Sequence, residues 1–396
     1  MTIVIYLLHK RLFRNPKLGF IPLIITALAF CFVLSCGSKQ EAPYMTWSAV
    51  SCGAEHTLAI CSSGYLWAWG NNASGQLGDS TNISKTVPTL ISRQKIWQTI
   101  ACGSNYSMAI RKDGSLWAWG NNVTGQLGYE TTDTYVSSPV RAGTGTDWTA
   151  VACGFGHTLG LKRDGSLWSW GNNNTGQLGD SENVYGVNST PKQVGNDLNW
   201  EAIACGVSFS VALKTDGTLW AWGDNSMGQL GDGTIIQRNT PVRLGKDSSW
   251  VKINSLYAHT AALRNNGFIW TWGNNISGQL GDGTTIARNN PTRIGTDIDW
   301  LSTACGGFYT VALKNDGSLW AWGDNKDGQL GDTAIKNKGI PNRIGADSDW
   351  KTIACGYRHT MALKNNGTLW AWGSNAKGQL GDGTLVNKSS PLLIGK

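Results

Sequence analysis

Apolar and polar positions recur in one order along most of this chain. Trp300-Leu-Ser-Thr-Ala-Cys305 is a short β-type run, Tyr309-Thr-Val-Ala-Leu-Lys314 a second, and Leu319-Trp320-Ala321-Trp322-Gly323 a third. Side chains alternate faces along a strand, so Trp320 and Trp322 share one side while Leu319 and Ala321 share the other. Between the second and third runs stands Asp316-Gly317, and the same place holds Asp113-Gly114, Asp164-Gly165, Asp216-Gly217, Asn266-Gly267 and Asn366-Gly367. That pair predicts a two-residue type I′ hairpin, because glycine supplies positive φ. Only Ser63-Gly64 departs. After the third run comes Gly328-Gln329-Leu330-Gly331, then a variable stretch and a fourth short run beginning at Pro341.

This order repeats seven times. Trp-x-Trp-Gly begins at Trp67, Trp117, Trp168, Trp220, Trp270, Trp320 and Trp370, with spacings of 50 to 52 residues. A third tryptophan leads each copy by 20 residues, at Trp47, Trp97, Trp148, Trp200, Trp250, Trp300 and Trp350. These account for all 21 tryptophans, so none is left for a private role. A fixed period near 50 means one supersecondary unit stacked on itself. Four short strands per unit predict an all-β fold: a seven-bladed β-propeller of four-stranded antiparallel blades. The long link after Gly-Gln-Leu-Gly is expected to cross between blades. On that register unit one lacks a fourth strand before Trp47, and the tail Pro391-Leu392-Leu393-Ile394-Gly395 supplies it, so the C-terminal strand closes the ring. Burying each tryptophan is worth roughly 4–6 kcal/mol as an upper bound.

Residues 1–35 follow another pattern. Lys10, Arg11, Arg14 and Lys17 occur with no acid, and an apolar run from Leu18 to Leu34 follows. It ends at Val33-Leu34-Ser35-Cys36-Gly37. A basic start, an apolar core and a small residue before the cut form a secretory signal. The cysteine after the cut resembles a bacterial lipoprotein signal, with Cys36 as the lipidated residue. An uncleaved anchor is the alternative, since about 17 apolar residues can just span a bilayer. The expected organisation is a signal peptide over 1–35, a tether over 36–46 and the propeller over 47–396. Either reading places the ring outside the cytoplasm, in the cell envelope, on the outer membrane or cell surface of a bacterium. Without the four basic residues of the signal, the net charge of +7 falls to +3. No Lys/Arg stripe remains in the repeats, which argues against a nucleic-acid partner.

Four histidines, His56, His157, His259 and His359, share one repeat position in alternate blades, with Tyr106, Phe209 and Tyr309 in the others. Equivalent points on alternate blades stand too far apart for a shared metal, so a packing role is expected. Cys52, Cys102, Cys153, Cys205, Cys305 and Cys355 also share one position, with Ser255 in the seventh and Cys61 apart. They read as small buried thiols. The turns at Asp232, Asp282 and Asp382 lack the ligands of a calcium loop. No nucleophile motif or phosphate loop appears, so no catalytic residue, metal or cofactor is assigned. What varies is the pair between Cys-Gly and His. All seven pairs should face one end of the ring, and Glu55, Asn105, Phe155, Tyr257, Phe308, Tyr357 and Arg358 are the candidate partner-binding residues.

Ala-Cys-Gly-x-x-His-Thr-x-Ala-Leu-Lys and Trp-Gly-x-Asn-x-x-Gly-Gln-Leu-Gly, repeated from Trp47 to Lys396, resemble the regulator of chromosome condensation repeat. The resemblance implies a seven-bladed propeller. In the family a nucleotide exchange factor acts through a wedge inserted in its ring, and units of 50–52 residues leave no room for one here. The plant ultraviolet-B photoreceptor of the family uses tryptophans where this chain has Ala54, Ser104, Phe155, Val207, Tyr257, Gly307 and Tyr357. Photoreception is therefore not expected. A secreted β-lactamase inhibitor of this kind illustrates a ring that only binds protein. The expected function is a non-enzymatic, monomeric protein-binding scaffold that meets the membrane only through its lipid. The alternatives are a carbohydrate- or cell-wall-binding module and a secreted inhibitor-like binder.

Overall fold

A computed structural model describes residues 45–181, 186–334 and 336–395. The expected signal with Cys36, and the tether up to residue 44, lie outside the described residues. The described strands run in chain order from β1 (Trp47–Cys52), β2 (His56–Cys61), β3 (Leu66–Gly70) and β4 (Lys85–Ser92) to β28 (Lys388–Ile394). They form seven sheets, each of four strands in sequence order and antiparallel. The fold is the expected all-β propeller. The first strands of neighbouring blades pack on one another around the ring, so they line the axis. The proline-bearing fourth strand is the outer edge, where a missing N–H costs no ladder bond.

Two local expectations are corrected. The Asp-Gly hairpins are three-residue loops, not type I′ turns. Gly317 takes φ 77°, whereas Asp316 is not among the non-glycine residues with positive φ. The Gly317 N–H donates to Lys314 O at 3.0 Å, and Lys314 N–H to Ser318 O at 3.1 Å. The Asp316 carboxylate accepts from the Ser318 N–H at 2.9 Å and its hydroxyl at 2.6 Å, which holds the aspartate right-handed and leaves the left-handed bend to glycine.

The blade boundary also moves. The long connection, residues 71–84 in the first repeat, joins β3 to β4 inside one blade, and the short link 93–96 crosses to the next. Blade one thus has its own fourth strand. The C-terminal strand β28 pairs with β27 (Leu369–Gly373) of its own blade, not with blade one. The ring closes instead by packing: β1 lies against β25 (Trp350–Cys355) and β26 (His359–Lys364), and Ile394 shares a core cluster with Trp47 and Trp69. Strand order alone could not separate these readings, because a long loop can fold back as readily as it can cross.

Each blade junction is sealed by the repeat residues. The second tryptophan of Trp-x-Trp-Gly is fully buried, and its indole donates to the glutamine carbonyl of the preceding Gly-Gln-Leu-Gly, as in Trp322 to Gln279 O at 2.9 Å. The leading tryptophan meets both others edge-on, with Trp300 at 5.8 Å from Trp320 and 6.2 Å from Trp322. A basic side chain caps this triad: Lys314 Nζ lies 4.9 and 4.7 Å from the Trp300 and Trp320 rings and pairs with Asp297 at 2.7 Å. In blade one the triad instead meets the buried Cys61, whose thiol lies 3.2 Å from Ser63 Oγ. The Gly-Asp-Gly-Thr aspartates are structural caps. Asp232 accepts from the Thr234 N–H and hydroxyl and pairs with Arg238 at 2.6 Å.

Candidate functional site

Antiparallel order puts the turn between strands one and two of each blade at the same end of the ring as the long third-to-fourth connection. In six blades that turn starts with Cys-Gly. The glycine is required by close approach: a Cβ on Gly356 would lie 2.1 Å from the His359 ring and 2.5 Å from Gly53 O. The turns are stitched to one another around the axis. Ala54 N–H donates to Ser104 O, Ser104 to Gly154 O, Phe155 to Val207 O, Val207 to Tyr257 O, Gly307 to Tyr357 O and Tyr357 to Ala54 O, at 2.9–3.4 Å.

Beneath this belt lies a second set of latches between blades. His56 Nε2 meets Ser107 Oγ at 3.0 Å, His157 meets Ser210 at 3.1 Å, His259 meets Thr310 at 3.0 Å and His359 meets Thr57 at 3.2 Å. Each hydroxyl gives its own hydrogen to a glutamine carbonyl, for example Ser107 to Gln76 O at 2.8 Å. The histidines are therefore Nε2–H donors. Burial holds them neutral, lowering the pKa to about 3 for His56, His259 and His359 and about 4 for His157. Tyr106 and Tyr309 do the same work through their hydroxyls, at 3.0 Å from Thr158 and Thr360. Cys52, Cys102, Cys205, Cys305 and Cys355 point their thiols at a carbonyl of the preceding blade at 3.4–3.6 Å. Burial raises the pKa of all six repeat cysteines, which keeps them as inert thiols. Among the described residues no group of three or more His, Cys, Asp or Glu is placed to hold a metal.

Blade five departs from this scheme. Asn254-Ser255-Leu256 replaces Ala-Cys-Gly, and its first strand β17 (Trp250–Leu256) runs one residue further, pairing Leu256 with His259. The chain must then turn in two residues, Tyr257 and Ala258. Tyr257 is forced to φ 56°, a left-handed conformation that costs a non-glycine residue about 1–2 kcal/mol. No belt bond joins Tyr257 to Gly307. The tyrosine ring instead packs on Phe308 at 4.6 Å and on Tyr357 at 5.7 Å, and Phe308 lies 5.9 Å from Tyr357.

Of these three, Tyr257 and Tyr357 line an axial cavity of about 300 Å³ at the turn end, together with Ala54, Phe155, Val207 and Leu256, while Phe308 packs behind them outside the lining. A neighbouring cavity of about 220 Å³ shares Val207 and Tyr257 and contains Asp224, Ser226 and Asn274. Of the residues singled out in the sequence, Tyr257, Phe308 and Tyr357 thus meet in one cluster. Arg358 stacks 5.5 Å from the Tyr357 ring and pairs with Asp327 at 3.0 Å. Phe155 stands apart from them on the cavity wall and is 59% exposed, so it does not pack between blades. Glu55 accepts from Asn71 Nδ2 at 3.0 Å. Asn105 serves the belt region through its carbonyl, which accepts from the Asn121 N–H at 2.9 Å. Sequence reasoning passed over Val207, Leu256 and Asp224. Leu256 was signalled by its place in the glycine column, and Asp224 by standing where other blades carry asparagine, as at Asn71, Asn121, Asn172 and Asn274.

The comparisons agree with this geometry. The family model described as RCC1-like domain matches residues 33–300 and again 135–395. The probable E3 ubiquitin-protein ligase HERC6 of Homo sapiens is 33% identical over 190 residues, covering 46% of this chain and 19% of that protein. The ultraviolet-B receptor UVR8 of Arabidopsis thaliana is 30% identical over 193 residues, covering 48% of this chain and 44% of that protein. The matched part spans less than half the length of these curated relatives. Among solved structures, human WBSCR16 superposes with a TM-score of 0.76 at 25% identity, covering 83% of this chain and 94% of the other. Yeast RCC1 superposes with a TM-score of 0.76 at 21% identity, covering 89% and 85%. Seven Trp-sealed blades, the in-register repeat and a family match across most of the sequence place this chain in the RCC1-like domain family.

Proposed function

We propose that this ring is a non-enzymatic scaffold that holds another protein at its turn end, and that lipidated Cys36 tethers it to a bacterial envelope membrane outside the cytoplasm. The observation that carries the first part is a contrast within every blade. Strand residues are repeated and spent on sealing junctions, while single-copy side chains gather around one axial mouth. Exposed aromatics beside a guanidinium are the groups from which interface anchors are built. A solved structure has yeast RCC1 bound to Kap60, so a ring of this architecture can carry a protein partner. The second part rests on the sequence Val33-Leu34-Ser35-Cys36 after an apolar run.

A photo-crosslinking residue at Asn105, on the turn end, should trap a partner in intact cells, and one at Asp216, on the opposite hairpin end, should not. The double variant Phe155→Ala with Tyr357→Ala should lose the adduct without a change in melting temperature. Equal trapping from both ends would overturn the chosen face. For the anchor, a palmitate analogue should label the wild type and not Cys36→Ala, and protease added to intact cells then separates surface from periplasm.

A further inference from the structure

Around the axial mouth the turn end carries an imbalance of charge. On the long third-to-fourth connections of this same end, aspartates are met by cations: Asp79 by Lys85, Asp232 by Arg238, Asp282 by Arg288 and Asp382 by Lys388. Around the mouth, Arg358 serves both Asp327 and the buried Asp324. Asp324 Oδ1 has no hydrogen-bond partner. Glu55 and Asp224 have only neutral donors among the described residues: Asn71 for the first, and the Ser226 N–H, the Ser226 hydroxyl and Gln229 Nε2 for the second. Arg358 thus answers Asp327 and Asp324, while Glu55 and Asp224 are left with neutral donors alone. Lys326 and Lys377, also on the long loops, are exposed and make no ion pair among the described residues.

Asp224 lies in the smaller cavity, and the wall it shares with the larger one is Val207 and Tyr257. The larger cavity is lined by Phe155, Leu256, Tyr357 and the same two residues. At about 300 Å³ it lies at the bottom of the range for ligand pockets, a size suited to one bulky side chain rather than a cofactor. An apolar hole and an uncompensated carboxylate, one residue's width apart, are complementary to two adjacent side chains.

We infer that the mouth is a two-part site for a segment of a partner protein that presents a bulky apolar side chain next to a lysine or arginine. The apolar side chain fills the axial cavity and the cation lies against Asp224. The inference rests on the protein-binding reading above and specifies the chemistry of the partner. Burial of the apolar anchor supplies affinity, and the carboxylates select basic flanks and speed encounter at low salt.

The probe is acetyl-Lys-Phe-Lys-amide, with acetyl-Glu-Phe-Glu-amide and acetyl-Lys-Gly-Lys-amide as controls, read by saturation-transfer NMR on the full-length chain. The first peptide should bind at millimolar concentration with its phenyl ring saturated, and the controls at least tenfold more weakly. Asp224→Asn should weaken binding about tenfold. Asparagine occupies that place in four other blades, so the variant folds. Val207→Trp should fill the cavity and abolish binding; Ala54→Leu repeats the test if the melting temperature of the first variant falls. Equal binding of the acidic peptide, or binding unmoved by either cavity variant, overturns the inference. Absence of any peptide binding with crosslinking from Asn105 retained also overturns it and leaves the scaffold reading standing. Loss of both sinks the two together.

Discussion

The seam between blades seven and one is where the first and last strands of the ring, β1 and β28, belong to adjoining blades, and blade five sits in the middle of a continuous run of blades. The seam is nevertheless the better latched of the two. It has His359 on Thr57 at 3.2 Å, the Cys52 thiol on Ala354 O at 3.6 Å, Tyr357 N–H on Ala54 O at 3.3 Å and Trp69 on Gln379 O at 2.9 Å. At the junction of blades four and five, Phe209 replaces the histidine or tyrosine and has no hydroxyl or imidazole to offer Thr260. Ser255 replaces the cysteine and turns inward to Thr260 at 3.1 Å. At the junction of blades five and six, the belt bond is missing. The lesson is that connectivity does not set where a ring is tight. An interior blade is held at high effective concentration by links on both sides, so its latches can be lost cheaply. The seam has no such tether and must be closed by hydrogen bonds and packing. The freedom at blade five is what lets Tyr257 swing onto Phe308 and shape the mouth.

The largest test of that contrast is acid. The four histidines have folded pKa values near 3 to 4, below the unfolded value of about 6.5. The unfolded chain therefore binds more protons below pH 6.5. The stability from neutral burial is complete above that pH and is lost as pH falls towards 3, at up to about 1.4 kcal/mol per pH unit for each histidine. Urea midpoints measured from pH 7 to pH 4 should fall steeply. His359→Phe, which makes the seam resemble the junction at Phe209, should remove about a quarter of that slope. An unchanged slope would mean that this histidine is not the buried neutral group described.

Next is the glycine column. Gly356→Ala at the seam puts a methyl against the His359 ring and Gly53 O, and should cost about 3 kcal/mol, the upper range for overpacking. Leu256→Ala, in the same column of blade five, lines an open cavity and should cost less than about 1.5 kcal/mol. Melting temperatures of the two variants decide; equal losses would erase the distinction between the regions. A smaller effect of opposite sign is expected from Phe209→His, which offers a donor to Thr260 and should add about 1 kcal/mol at pH 8, turning to a net loss of about 2 kcal/mol at pH 4 as the buried imidazole resists protonation. Smallest is Ser255→Cys, restoring the thiol. It should slow amide exchange of the blade four and five inner strands by a few-fold while leaving the seam unchanged, as read by hydrogen exchange.

Much of this was legible in the residues. The three tryptophan columns, the hairpins, the role of histidine as a packing residue and the inertness of the cysteines all follow from seven-fold register. A residue repeated in every blade answers to the same neighbours each time. The turn pairs were legible as a face, and Tyr257, Phe308 and Tyr357 were legible as variable. That they touch was not, because it depends on Leu256 displacing a glycine and rotating Tyr257 to φ 56°. Nor was the seam: the tail's Leu392-Leu393-Ile394 looks the same whether it completes blade one or stays in blade seven.

The sequence by itself determined what is periodic, since a repeat of 50 to 52 residues with fixed tryptophans admits one stacking unit and one kind of junction. Tertiary structure decided what occurs once. Which side of the long loop ends a blade, how the ring shuts, and which single-copy side chains from distant blades share an axial cavity all depend on closing the circle. Closure brings together residues that no local pattern relates.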